Sequence, residues 1–184
     1  MSVIRIGLIS DTHGYLDERV FDYFVSCDEI WHAGDIGTLT VAAQLASFKP
    51  LRAVYGNIDA GEIRQRYPEH QHFACGKVKV WMTHIGGYPP NYTPALRKQL
   101  DEFQPDLFIC GHSHILKVIP DPARKLLHLN PGAAGHEGFH PVRTLLRFAI
   151  HPEKQGVSSI EQLEIIELGK RGKMQRTSTD NKTQ

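Results

Sequence analysis

With 184 residues, 41% of them hydrophobic and 22% charged, the chain can bury a core of its own and is too apolar for wholesale disorder. Its formal charge of +1 is uneven: from Gly169 onward five Lys/Arg face one Asp, which leaves the body with 16 basic and 19 acidic residues, a net −3 that suits bulk nucleic acid poorly. Three cysteines without CxxC spacing argue against a disulfide framework or a thiolate zinc site, and no run nears the roughly 18 apolar residues of a membrane span, so a cytoplasmic setting is expected.

In chain order, residues 3–9 form a short apolar run interrupted by Arg5 and read as a first strand, not a leader peptide. Residues 17–24 predict a helix with Val20, Phe21 and Phe24 on one face. A strand over 29–33, a helix over 38–48 with Thr38 as N-cap and a strand over 51–55 follow. Strand, helix, strand, helix, strand implies right-handed crossovers and parallel pairing. Beyond them, 71–75 and 78–83 flank Gly76-Lys77 as a hairpin. A helix over 93–103 leads to an apolar strand over 107–110, where Cys110 reads as a core thiol. Further, mostly antiparallel strands are expected over 115–119, 125–129, 144–150 and 160–168. Two sheets packed face to face with helices outside accommodate so many strands in one domain spanning 1–168. Residues 169–184 form a basic, polar, solvated tail.

The strands stop at chemistry. The first ends in Ser10-Asp11-Thr12-His13-Gly14, the second in Gly34-Asp35 and the third in Gly56-Asn57. The strand after the hairpin ends at His84, and Cys110 is followed by Gly111-His112-Ser113-His114. Ligand sites of α/β sheets assemble at carboxyl strand ends, so these five turns can converge. Imidazoles, carboxylates and one amide suit borderline divalent cations, and residues two apart in an extended segment face one side. Asp11, His13, Asp35, Asn57, His84, His112 and His114 are too many for one open-coordinate ion and suit two that share a carboxylate. Two divalent ions against Asp11 and Asp35, with a bridging hydroxide, leave about one positive charge to attract an anionic phosphoester.

This ordered set, D-x-H, GD, GN, a lone H and GHxH, resembles the calcineurin-like metallophosphoesterase superfamily. Size and the Asn130-Pro131-Gly132 turn resemble its small bacterial and archaeal phosphodiesterase branch, which also resembles the retromer subunit Vps29. The resemblance implies a four-layer α-β-β-α sandwich. It implies a first metal on Asp11, His13, Asp35 and His114 and a second on Asp35, Asn57, His84 and His112, with Asp35, Asn57 and His112 in catalytic roles. The ions would be drawn from Mn, Fe, Zn, Ni and Mg, with Mn favoured, and a metal-bridging hydroxide would attack a small phosphoester, preferably a diester, in line. A homo-oligomer is allowed. The rival readings are a non-catalytic protein-binding scaffold of the Vps29 type and a nuclease acting on long polymers.

Two positions depart from the family pattern. Ile58 stands where many members carry a leaving-group-protonating His, which leaves Asp59, His136 and His140 as substitutes. Ile85-Gly86-Gly87 follows His84 where relatives show Gly-His. Elsewhere His32 reads as a core histidine or a support for a ligand, and His70, His72, His128 and His151 as surface or sheet residues. Tyr88 and Tyr92 are expected to pack in their loop, with lining of the substrate pocket as the alternative, and Arg143 and Arg147 to face solvent, with a reach to phosphate as the alternative for Arg143. The 130–135 turn is flexible by composition, and reads equally as a purely structural turn or as one whose amides meet a phosphate.

Overall fold

The computed structural model describes residues 2–170. These run through β1 (Ile4–Ile9), α1 (Arg19–Phe24), β2 (Glu29–His32), α2 (Leu39–Phe48), β3 (Leu51–Ala53), α3 (Glu62–Arg66) and β4 (His70–Cys75). The second half continues with β5 (Val78–Thr83), α4 (Pro94–Phe103), β6 (Leu107–Ile109), β7 (Lys117–Asp121), β8 (Leu126–Asn130), β9 (Val142–Ile150) and β10 (Ile160–Lys170). One five-stranded sheet has the order β10-β9-β1-β2-β3, with β1, β2 and β3 parallel. The other has the order β4-β5-β6-β8-β7. Its centre, β5, β6 and β8, is parallel, so only the edge strands β4 and β7 bear out the antiparallel expectation there.

Alternation along each strand builds the layers. Ile6 and Leu8 face inward with Trp31, Val80, Met82, Leu107, Ile109 and Leu146, forming the core between the sheets. Ile9 and Ile30 point the other way, onto Val20, Phe24, Val41 and Leu45 of the helices. Trp81 and Phe108 turn outward from the second sheet to meet Leu100 of α4. The result is the expected α-β-β-α sandwich, with α1, α2 and α3 on one side and α4 on the other.

Local chemistry sets the element ends. Thr38 Oγ1 accepts from Val41 N at 3.4 Å and Thr93 Oγ1 from Leu96 N at 3.3 Å, each satisfying an orphan helix donor. Pro94 needs no donor at its position in the first turn. The five-residue α3 has no counterpart among the expected elements, because a single buried residue, Ile63, shows no periodicity. At the other end, Gly169 and Lys170 continue β10 against Arg143 and Val142. The remainder of the 169–184 tail lies outside the described residues.

Arg143 corrects an expectation. It is 5% exposed and donates to Asp17 Oδ2 at 2.9 Å and to the Leu168 carbonyl at 2.9 Å. It shares the helix-side face of β9 with Leu145, where the entry to α1 covers it. Asp17 also takes a fork from Arg19, and that hydrogen bond above all holds its carboxyl well below the usual range. Arg147 is half-buried and paired with Glu164, and Tyr92 is buried beside Phe108.

His128 is wholly buried on the outer face of the second sheet, its ring 5.6 Å from Phe108. Burial pushes its imidazole down from 6.5 to about 4, helped by the charge of Lys117. The unfolded chain therefore takes up this proton at higher pH than the folded one. The stability held by the neutral ring is complete above pH 6.5 and is lost as pH falls through 4, at about 1.4 kcal/mol per pH unit between those limits. Denaturant unfolding at pH 8 and pH 5 should show the native protein losing about 2 kcal/mol more than a His128→Met variant. Equal losses would refute this.

Candidate metal centre

Five loops meet at one end of the sandwich, at the carboxyl ends of β1, β2, β3, β5 and β6. Backbone hydrogen bonds lock them together: Asp11 N to Gly34 O at 3.0 Å, His13 N to Asp35 O at 3.0 Å and Gly111 N to His84 O at 3.0 Å. Among the described residues, five of the eight non-glycine residues with positive φ are Asp11, His13, Asp35, His112 and His114. Left-handed backbone at Asp or His costs energy and collects where side chains must be aimed at a site. Two glycines admit the close approach. A Cβ at Gly56 would stand 2.0 Å from Asp35 Oδ1, and one at Gly111 would stand 2.1 Å from Ser10 Oγ and 2.8 Å from Asp11 Oδ2.

The side chains converge as follows. Asp11, His13, Asp35 and His114 each offer a ligand atom within 4.8 Å of the others. His13 Nε2 lies 3.5 Å from Asp35 Oδ2, and His114 Nε2 lies 3.1 Å from Asp11 Oδ1 and 3.3 Å from His13 Nε2. On the other side of Asp35, His84 Nε2 is 3.2 Å from Oδ1 and 3.1 Å from Asn57 Oδ1. His112 is exposed; its ring stands edge-on to His84 with centroids 5.3 Å apart, and its backbone N–H donates to Asp11 Oδ1 at 3.2 Å. Asp35 thus lies between two sets of donors.

The donors fit cations. His84 Nδ1 bonds the Ala33 carbonyl at 2.8 Å and His114 Nδ1 the Glu137 carbonyl at 3.0 Å. A carbonyl only accepts, so each Nδ1 carries a proton, and each Nε2 faces a carboxylate. Two acceptors about 3 Å apart repel unless a proton or a metal ion lies between them. Asp11 Oδ2 is buried with no hydrogen-bond partner among the described residues, and such an atom needs a counter-charge. Titration behaviour agrees. Burial pulls the His84 imidazole down, but the Asp35 hydrogen bond and the Asp11 charge raise it overall. Burial raises the Asp35 carboxyl, but His84 and the Ile58 N–H bring it below its ordinary value.

Supporting residues emerge that the motif does not contain. Asp59, a candidate acid from sequence, is 2% exposed and accepts from Ile36 N at 3.0 Å, Gly37 N at 2.7 Å and Gly56 N at 2.8 Å. It ties the Asp35 loop to the Asn57 loop and is not available as an acid; the local cue is an Asp just after a Gly-Asn turn. His32 Nδ1 accepts from Gly34 N at 3.2 Å, which leaves Nε2–H to donate to Thr12 Oγ1 at 3.0 Å, and Thr12 donates to Ile36 O at 2.9 Å. Burial keeps His32 neutral, pushed down to about 4. The 130–135 turn is buried, and its amides are already used. Asn130 Oδ1 accepts from Gly132 N at 3.0 Å, Ala134 N donates to Ser10 O and Gly135 N donates to Asp11 O. Asn130 Nδ2 in turn holds Gly111 O at 2.8 Å. Of the remaining acid candidates, His136 packs at a tilt against Tyr15 with ring centroids 4.0 Å apart, and His140 bonds Val142 O at 2.9 Å.

The family model of the calcineurin-like phosphoesterase superfamily domain matches residues 4–153. A protein described as a probable metallophosphoesterase from Methanothermobacter thermautotrophicus is 32% identical over 135 residues, covering 70% of this chain and 76% of the relative. Among solved structures, a novel archaeal phosphodiesterase superposes with a TM-score of 0.69 at 20% identity, covering 90% of this chain and 100% of that one. Vacuolar Protein Sorting 29 from Cryptosporidium parvum gives 0.67 at 17% identity, with 91% and 98% covered. At these identities the two structures share the fold.

Proposed function

The chain belongs to the calcineurin-like phosphoesterase superfamily, and from that premise we propose that it hydrolyses a phosphodiester with two metal ions that share Asp35. Asp11, His13, Asp35 and His114 would hold one ion, and Asp35, Asn57, His84 and His112 the other. Bound divalent cations would supply Lewis-acid charge to the phosphoryl group and bring the pKa of a water toward 7. The chain's own contribution is position and charge. Asp11 and Asp35 return two negative charges to the four that two cations bring, so the pocket keeps a net attraction for a phosphate anion. The main-chain bonds of His84 and His114 fix both rings, and Asp59 fixes the two loops that frame Asp35. In the overall step a water oxygen bonds to phosphorus and the bond to the leaving oxygen breaks.

The observation that carries the reading is the seating of Asp35 between His13, at 3.5 Å, and His84, at 3.2 Å. Ile58 offers no proton, so the favoured substrates are those whose leaving oxygen departs as a stable anion, such as aryl phosphodiesters or nucleotide anhydrides. The three cysteines are free and buried, with burial pushing Cys110 up to about 12, which suits a reducing cytoplasm.

The test is to strip the purified chain with a chelator and restore Mn, Fe, Zn, Ni or Mg one at a time. Metal per chain and hydrolysis of bis(4-nitrophenyl) phosphate are then measured. Two metals per chain with restored turnover is the expected result. A chain that binds metal and turns over no ester would be a scaffold, and one that binds none would refute the metal centre itself.

A further inference from the structure

Building on the phosphodiesterase reading, we propose that the non-leaving substituent of the substrate is a hydrocarbon group, received by an apolar collar of Tyr15, Ile58, Ile85, Ile115 and Phe139. Nine large apolar side chains are exposed among the described residues, and these are five of them. Single exposed apolar residues are ordinary, whereas a group of them around one site calls for a partner. Ile58 follows Asn57, Ile85 follows His84 and Ile115 follows His114. Tyr15 lies two residues past His13, and Phe139 two past Glu137, whose carbonyl accepts from His114 Nδ1. Phe139 is 106% exposed and Ile85 58%. None of the five belongs to the three cores.

The collar has two lips. Ile58 follows Asn57 at the rim, and Ile85 lines a recess of about 220 Å³ beside the Asn57–His84 pair, whose deeper wall of Tyr55, Arg64, Glu69, His70 and Thr83 is mostly polar. Tyr15, Ile115 and Phe139 flank the His13–His114 pair. Tyr15 is a preformed wall, its ring tilted against that of His136 and with the Arg143 guanidinium 5.6 Å away. A phosphodiester carries an organic group on each side of its phosphorus, and two lips on either side of an ionic centre match that shape. Polar substituents would gain nothing from these five side chains, whereas hydrocarbon removes their apolar surface from water.

The experiment uses the full chain reconstituted with metal and a series of alkyl 4-nitrophenyl phosphodiesters, from methyl to hexyl. The leaving group is constant, so the chemical step is constant too. We expect kcat/KM to rise about twofold to fourfold per added methylene until the collar is covered, and to rise less for an ether chain of equal length. Ile115→Ser and Phe139→Ser should each flatten the series. The slope is read within each variant, so a general loss of activity cancels. Turnover of every ester at a rate independent of chain length would overturn this inference and leave the phosphodiesterase reading standing. Failure to turn over any ester with any metal would remove both. A flat series from a chain that sediments as a dimer at micromolar concentration would instead assign the collar to a second copy.

Discussion

Replacing Asp35 by Asn is expected to lower kcat for an aryl phosphodiester by about 10³-fold or more, and to reduce bound metal from two ions to at most one. The side chain keeps its size, and Asn Oδ1 can still accept from Ile58 N as Asp35 Oδ1 does at 3.1 Å, so the loop should hold its shape. What disappears is the anionic charge between His13 and His84. Several kcal/mol of transition-state stabilisation is the usual contribution of metal charge at a phosphoryl group, and each 1.4 kcal/mol is about a factor of ten in rate. Metal analysis and kinetics on the same sample separate the two effects. A variant within threefold of the native rate, with two metals bound, would mean that Asp35 does not bridge.

The second large effect concerns the proton of the leaving group. Ile58 is 45% exposed beside Asn57, in the position where a protonating imidazole is expected from the family pattern. Asp59 cannot take over, because its carboxylate is consumed by three backbone amides. The native enzyme should therefore show a steep fall in the chemical rate as the leaving-group pKa rises. General acid catalysis typically contributes about 10²–10⁴-fold, so Ile58→His should raise turnover of esters with poor leaving groups by about 10²-fold. For 4-nitrophenyl esters, whose leaving anion needs no proton, it should change little. The decisive plot is log kcat against leaving-group pKa for both proteins. A flat native line would locate the acid elsewhere, and parallel lines would mean that the new imidazole does not reach the departing oxygen.

Much of the fold was legible because its signals are local. Apolar runs marked the strands, and Thr38 marked a helix start through a side-chain oxygen three residues from the donor it satisfies. The α3 turn was not legible, since one buried Ile63 carries no period. Strand direction in the second sheet was also hidden. Parallel β5-β6-β8 pairing depends on which strands meet across the sheet, and no local pattern encodes that choice.

For the candidate site the division is similar. The amino-acid sequence alone determined the donor set and its order: two aspartates, four histidines and an asparagine, each placed where an apolar run gives way to a turn. Only the tertiary structure decided that His114 lies 3.1 Å from Asp11, about a hundred residues away in the chain. It also decided that Asp59 braces the loops instead of donating a proton and that Arg143 is buried against Asp17. The physical reason is that residue chemistry and periodicity are carried by near neighbours. A lone pair's partner and a charge's burial are set by distant strands once the sheets have packed.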